Sequence, residues 1–464
     1  MPLLPLLILT AVESNRNIAQ DVPAKNVILM IGDGCGFNSY AAASMYEGRL
    51  GKEIFNGPKW VTQSMSTYPL GIIEKPQMTG VQNPELVYDS QKAWDPQNGY
   101  KWLIDTPTDS GASATAYSTG SKTYKHSICW SDLDKPMVNM ADYCAKFNKA
   151  IGVVTSVEWS DATPAAFIAH NPNRDNRAQI AREMVEKSKA DVIMGAAHPW
   201  YDGDGKRRAT MGGADWVGEQ DYFTTPIKTK NGVRFIESKA DFNALAKGKL
   251  DMMGCDRLVG TAQVAGGLQI NRSTKDWNND GKFDGVDHKV APIFGDPLVK
   301  TVPDLGTMSI GALNLLSKNK NGFFLMVEGG AIDTSNHFNW PDRMIEEAVQ
   351  FFRAIETVST WVEKHGGWDK NLVIVTADHE CGFVLGPQSD TIPFQPIVDN
   401  GKGKMPGLRH NHTGHTNALI PIFARGKGAE RLTEFAQKVD PVRGKYLDNT
   451  DVFKMIFPSI QGSR

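Results

Sequence analysis

Cysteine is scarce in this 464-residue sequence: Cys35, Cys129, Cys144, Cys255 and Cys381, an odd number with no C-x-x-C pair. That excludes a disulfide framework as what holds the fold. A short-loop disulfide between Cys129 and Cys144 is open only if the chain is exported. Charge of one sign is not in excess either, since 50 Lys and Arg face 52 Asp and Glu, a net of −2. Without a basic surplus there is no electrostatic footprint for DNA or RNA, and nucleic acid is not an expected partner. Long apolar runs are missing as well. The opening MPLLPLLILTAVESNRNIAQ is apolar for about twelve residues, short of the roughly twenty that a membrane helix needs. It reads as the apolar region of an export signal over residues 1–20, though without the usual positive start, and a periplasmic or secreted location is the expectation. No membrane span is expected anywhere, and there is no internal repeat or low-complexity tract.

What is present is an alternation of short apolar runs with helical patterns. KNVILMIGDG (25–34), AIGVVTS (150–156), ADVIMGAA (190–197), GFFLMVEGG (322–330) and NLVIVTADHE (371–380) are apolar, β-branched and stopped by glycine or polar residues. Each predicts a buried strand. In residues 342–367, Met344, Ile345, Ala348, Val349, Phe352, Ile355 and Trp361 approximate one helical face and Gly366 supplies a stop. A second helix is predicted from about Pro303 to Lys318. The alternation predicts an α/β fold, a central mostly parallel sheet flanked by helices on both faces. Residues 198–300, rich in Gly, Asp, Asn and Lys, have weak periodicity and are expected to be an insertion or lid on a body spanning 25–464.

Ligands of a parallel sheet gather beyond the carboxyl ends of its strands, and the acids of this sequence fall there. Asp33 ends the first run, Asp161 and Thr163 follow the second, Glu328 ends FFLMVE, and Asp378 and His379 end LVIVTADH. Buried carboxylates facing one another repel, so the arrangement calls for cations. Asp333 and His337 are four residues apart, which puts both on one face of a helical turn, as two ligands of one metal require. His410, His412 and His415 crowd the late stretch RHNHTGHTNALIPIFARG. Mixed Asp and His ligation suits zinc, while oxygen ligation by Asp33, Thr163 and Glu328 suits magnesium. In TPTDSGASATAYSTG (106–120), Asp109 and Ser110 open a small-residue helix, so Ser110 is expected among unpaired amides at its positive end, a place that attracts anions. The plainer alternative is that one of the two merely caps the helix.

In this order, MIGDG, TDSGASATA, DATPAAFIAH with NPNR, VEGGAID…H, TADHE and HTN…PIFARG resemble the alkaline phosphatases, from about residue 25 to 426. The resemblance implies hydrolysis of small phosphate monoesters through a covalent phosphoserine, with two Zn2+, one Mg2+ and, as family members are often dimers, a homodimer. It implies Ser110 as nucleophile and Arg174 as the fork on two phosphate oxygens. Asp333, His337 and a late histidine would hold the first zinc. Asp33, Asp378 and His379, with Ser110 itself, would hold the second, and Asp33, Thr163 and Glu328 the magnesium, Asp33 bridging the two sites. Asp161, in DATPA, matches the bacterial form and favours magnesium in that third site. His415 lies at the family spacing of eleven residues before Gly426, whereas His412 carries the family-like HTG three residues earlier. Two positions depart from the usual pattern: Thr334 stands where Lys or His is frequent, and Gly111 where Ala is frequent. A phosphodiesterase of the same superfamily and a non-catalytic metal or phosphate binder are the rival readings. Sulfatases need a C/S-x-P-x-R context that is absent around Ser110, and diesterases commonly use threonine as nucleophile.

Residues 276–287, DWNNDGKFDGVD, resemble an EF-hand-type Ca2+ loop, with oxygen donors at Asp276, Asn278, Asp280, Asp284 and Asp287, Gly281 at the turn, and Lys282 at the position that offers a backbone carbonyl. The alternative is an ion-free Asp/Asn/Gly turn. A weaker version, YDGDGK (201–206), is not expected to bind.

Overall fold

Runs of β-branched residues that can bury both faces belong inside a parallel sheet, and the five runs above occupy that place. The computed structural model describes residues 23–224, 227, 232–272 and 290–462. In chain order its main-sheet strands are β1 (Asn26–Gly32), β2 (Val61–Ser66), β3 (Ala150–Glu158), β4 (Val192–Ala196), β5 (Val233–Ile236), β6 (Arg257–Thr261), β7 (Phe323–Gly329), β8 (Asn371–Thr376), β9 (Ile420–Gly426), β10 (Lys438–Asp440) and β11 (Gly444–Asp448). They lie in the order β10-β11-β2-β9-β8-β1-β7-β3-β4-β6-β5. From β8 to β5 all neighbours run parallel, while β9 is antiparallel to both β8 and β2.

The register decides which strand ends meet. Ile31 of β1 pairs with Glu328 of β7 and with Thr376 of β8, and Thr155 of β3 pairs with Glu328. The first polar residues past each apolar run therefore emerge side by side at one edge of the sheet. The 198–300 region differs from expectation. Its β5 and β6 join the parallel block beside β4, so it extends the sheet as well as covering it. Strands of four and five residues at the sheet's end carry too little alternation to stand out in the sequence.

Helix α1 is Phe37–Glu47, α2 is Ser110–Thr119, α3 is Ala162–Ile168, α4 is Leu305–Leu316, α5 is Ala331–His337, α6 is Pro341–Lys364 and α7 is Asn449–Gln461. All seven apolar residues expected to share a face of α6 are buried. Its first turns also bury Asp342, Arg343, Glu346 and Glu347, which the apolar pattern did not anticipate. They are buried among partners of their own: Glu346 accepts from Arg343 Nη1 at 2.9 Å and pairs with Arg272, while Asp342 accepts from the amide of Ala291 at 2.8 Å. Cys129 and Cys144 are free and buried, and Cys129 Sγ donates to the Ala166 carbonyl at 2.8 Å, so no disulfide joins them. No helix among the described residues is long and apolar enough to cross a membrane. Residues 1–20 and the 276–287 loop lie outside the described residues.

Small residues let α2 approach its neighbours closely, and it packs between α3 and α7 with nearly every residue buried. Two buried hydrogen bonds tie it to the end of β8, Tyr117 Oη donating to the Ala377 carbonyl at 2.6 Å and Ser113 Oγ to the Asp378 carbonyl at 2.7 Å, and a third ties it to α7, Asn449 Nδ2 donating to Ser113 Oγ at 3.0 Å. Tyr117→Phe leaves the Ala377 carbonyl without that donor, at an expected cost of about 1–3 kcal/mol. Urea unfolding checks this: the midpoint should fall with an unchanged slope, and an unmoved midpoint would discount the tie.

Candidate active site

Two groups of ligand-type side chains converge beyond the sheet's carboxyl edge. The first holds Asp333, His337, His415 and Cys381; the second holds Asp33, Asp378 and His379. Asp333 and His337 share α5, with His337 Nε2 3.0 Å from Asp333 Oδ2. His415 arrives from a separate element. The two-residue strands Glu380–Cys381 and His415–Thr416 pair antiparallel, placing His415 opposite Cys381 and within 3.4 Å of Asp333 Oδ1. His410 belongs to a different pair, Arg409–His410 against Val384–Leu385, and its Nε2 faces Asn336 Oδ1 at 3.0 Å. His412 lines the cleft mouth but is not in the cluster. Of the two late histidines weighed from the sequence, His415 is the one brought to Asp333.

The geometry of the two imidazoles asks for a cation. His337 Nδ1 faces the Thr413 carbonyl at 2.6 Å and His415 Nδ1 the Thr108 carbonyl at 3.0 Å. Each Nδ1 is therefore placed to donate to a carbonyl, and each ring turns its Nε2 inward. Those two atoms are 3.0 Å apart, a repulsive contact unless a proton or metal lies at hand. With protein groups alone a proton does so, and Asp333 raises His337 to about 9. Burial pushes Asp333 up, but His337 and His415 outweigh it and hold it well below the usual carboxylate range.

The second group lacks even that relief. Asp33 Oδ1, Asp378 Oδ2 and His379 Nδ1 are buried without hydrogen-bond partners among the described residues. Burial, then Asp378, Asp333 and Glu328, raise Asp33 well above its ordinary value; burial and Asp333 push Asp378 up to about 6. Burial and the neighbouring His415, stacked at 3.6 Å between ring centroids, hold His379 neutral. Next door Glu328 is pushed up to about 8, by burial first and then by Asp161 and Asp378, against hydrogen bonds from Thr155 and Thr163. Thr163 Oγ1 also donates to Asp33 Oδ2 at 3.4 Å. Oxygen-rich at Asp33, Thr163 and Glu328 and mixed with imidazole elsewhere, the donors fit hard and borderline divalent cations respectively.

Ser110 stands between these groups and an open cleft of about 500 Å³ that Asp109, Arg174, Asp333, His337 and His415 also line. Its Oγ is 3.2 Å from His379 Nε2. The amides expected to be unpaired there are taken: Asp109 accepts from Gly111 N at 3.1 Å and Ala112 N at 3.2 Å. A side chain capping a helix satisfies those donors, so the cap and the exposed hydroxyl are both real and belong to adjacent residues. Gly111 sits tightly, since a β-carbon there would lie 2.9 Å from the Ser127 carbonyl oxygen. Asp109 also takes Arg174 Nη1 at 3.0 Å, and Asp161 takes Arg174 Nη2 at 3.0 Å. Burial raises Asp109, yet Arg174 and the His126 amide outweigh it and bring it down to about 2. Asp161 thus orients the arginine and caps α3 through the Ala162 amide at 2.7 Å; it is in neither ligand group.

Three participants were not legible as site residues. Thr155, whose hydroxyl bonds Glu328, looks like one more residue of a buried strand. The clamp that Asp109 forms on Arg174 spans 65 positions. Cys381 follows TADHE directly, and only the strand pairing reveals that it faces His415.

Comparison with known proteins identifies the family. The family model described as alkaline phosphatase matches residues 24–405. Alkaline phosphatase of Escherichia coli (strain K12) is 26% identical over 453 residues, covering 92% of this chain and 86% of its own length. Streptomycin-6-phosphate phosphatase of Streptomyces griseus is 26% identical over 497 residues, covering 97% and 94%. Among solved structures, alkaline phosphatase from the Antarctic bacterium TAB5 superposes with a TM-score of 0.62 at 22% identity, covering 96% of this chain and 99% of that one. A variant of it, at TM-score 0.61, 23% identity and the same coverage, was solved with Mg bound.

The raised carboxyls generate a pH dependence with a definite sign. A carboxyl whose folded pKa lies above its unfolded value is protonated in the fold while ionised in the open chain, so stability falls as pH rises between the two values. Asp378 at about 6, Glu380 at about 7 and Glu328 at about 8 share this direction. With EDTA present, Tm should fall steadily from pH 5 to 8, while added zinc and magnesium should flatten the slope. Parallel slopes with and without the metals would contradict the assignment of Asp378 and Glu328 to cations.

Proposed function

Because this chain belongs to the alkaline phosphatase family, we propose that it hydrolyses phosphate monoesters through a covalent intermediate on Ser110. The observation that carries this reading is a hydroxyl at a helix start, 3.2 Å from His379 Nε2, in the same cleft as Arg174 and His415. Asp333, His337 and His415 would hold one zinc, Asp33, Asp378 and His379 a second, and Asp33, Thr163 and Glu328 a magnesium. Cations held there supply the positive charge that a dianionic ester needs and lower the pKa of the Ser110 hydroxyl.

The chain's own groups do the rest. Arg174 uses one N–H of each terminal nitrogen on Asp109 and Asp161, which leaves the remaining protons of a fixed fork for two phosphoryl oxygens. The Asp109 carboxylate, taken up by amides and Arg174, sets where that fork points. Ser110 Oγ then forms the bond to phosphorus as the bond to the leaving oxygen breaks, and water entering the open cleft cleaves the phosphoserine. Because the cleft grips the phosphoryl group and opens to solvent, the leaving alcohol can vary. The apolar opening stretch supports the accompanying proposal of a periplasmic or secreted location.

Ser110→Ala should lower kcat on p-nitrophenyl phosphate by on the order of a thousandfold while metal content stays at the wild-type level. Asp378→Ala should lose bound metal as well. Acid quenching of the wild-type reaction should leave a phosphoryl group on the peptide containing Ser110. Full kcat in Ser110→Ala would overturn the covalent route, and equal rates on the diester or sulfate analogue would overturn the monoesterase assignment.

A further inference from the structure

Beside the Ser110 cleft lies a larger one, of about 870 Å³, and Arg177 lines both. Glu158 and Thr334 also line the larger basin; they stand three residues from Asp161 and one from Asp333 in the chain. The rest of its wall comes from the 198–217 and 265–271 segments, outside the residues used for chemistry.

Its lining has a definite character. Tyr201, Trp216 and Phe338 present aromatic surface. The Arg177 guanidinium covers the Trp216 ring at 4.2 Å and pairs with Asp215 at 3.3 Å, which fixes both side chains at the junction of the two clefts. Arg208 faces the same space and makes no ion pair among the described residues. Room for it comes from Gly212, where any β-carbon would collide with Arg208 Nη1. Gly203, Gly213, Gly266 and Gly267 line the basin as well, and glycine keeps such a space clear because it brings no side chain. The acids of the wall are largely spent. Asp202 Oδ1 accepts from the amides of Asp204 at 2.9 Å and Lys206 at 2.8 Å, an Asx turn in place of a cation site. Burial and Asp161 push Glu158 up to about 7.

We propose that this basin is a leaving-group subsite for substrates whose terminal phosphoryl group is joined to a leaving group carrying both a planar ring and a second anionic group, as in the phosphoanhydride of a nucleoside diphosphate. The proposal rests on the phosphomonoesterase reading of the Ser110 cleft. With ADP, the Ser110 oxygen bonds the terminal phosphorus as the bridging P–O bond breaks. AMP departs with that oxygen and its electron pair, and water then frees phosphate and regenerates the serine hydroxyl. The AMP phosphate meets Arg177 and Arg208, and the purine lies against Trp216 and Tyr201.

The metal-loaded full chain tests this with ADP and, as a substrate lacking ring and second charge, glycerol 2-phosphate. Arg208→Ala should lower the ratio of kcat/KM for ADP to that for glycerol 2-phosphate about tenfold, and Arg208→Lys should restore part of it. Calorimetric titration with AMP should show the Arg208→Ala Kd rising by a similar factor. An unchanged ratio and an unchanged AMP Kd would overturn the subsite. Because Arg208 is exposed, its replacement does not threaten the fold. Loss of both substrates alike in Ser110→Ala, or turnover of neither by wild type, reports on the monoesterase reading instead.

Discussion

Mutual repulsion among buried carboxylates is the constraint on which this structure turns. The parallel register brings Glu328 beside Thr155 and Ile31, so that Asp378, Asp333 and Glu328 all act on Asp33, and Asp378 on Glu328, across the same edge. No sheet gains stability by gathering unpaired acids away from water. Arg174 is the fixed cation of the neighbourhood, and Asp109 and Asp161 already claim it. Divalent cations would resolve the conflict, and they would create a concentration of positive charge next to Ser110 that neutral side chains could not match.

A second consequence concerns how the nucleophile is held. At a helix start, free amides would be an anion site in themselves, but here Asp109 takes two of them and hands its remaining capacity to Arg174. The helix end is thereby converted from a phosphate cradle into a mount for a guanidinium fork. Ser110 gains a fixed backbone, because the cap stops the first turn from fraying, while α2 is anchored to the β8 end through Tyr117 and Ser113. Ser110, Arg174 and the second ligand group are therefore parts of one rigid unit, which would favour a reaction that depends on alignment.

Much of this was legible in the sequence, for reasons that differ by residue. Asp33, Glu328 and Asp378 are legible because an acid directly after an apolar β-branched run must lie at a strand end, and parallel strands bring such ends together. Asp333 and His337 follow from helical spacing alone. His415 needed either the family spacing or the strand pair with Glu380–Cys381, since nothing local separates it from His412. Thr155 and the buried start of α6 were not legible. A threonine in a strand has many bland uses, and acids in a helix read as solvated until Arg272, Ala291 and Arg343 are seen to partner them. The strands β5 and β6 were missed because four or five residues among glycines and lysines carry almost no periodic signal.

That last miss is informative about where selectivity resides. The residues proposed for chemistry come from strand ends and adjoining helices whose positions the sheet register fixes, and they grip a phosphoryl group common to every monoester. The walls of the larger cleft come chiefly from loops around β4 to β6, where packing constrains the sequence least. Thr334 lies at the seam: beside Asp333 in the chain, it lines the larger cleft, and its short side chain leaves that passage wider than a lysine or histidine would. A site whose proposed chemical half is dictated by a buried sheet and whose proposed recognition half is built from loops could change its preferred ester without disturbing the carboxylates that would hold its cations.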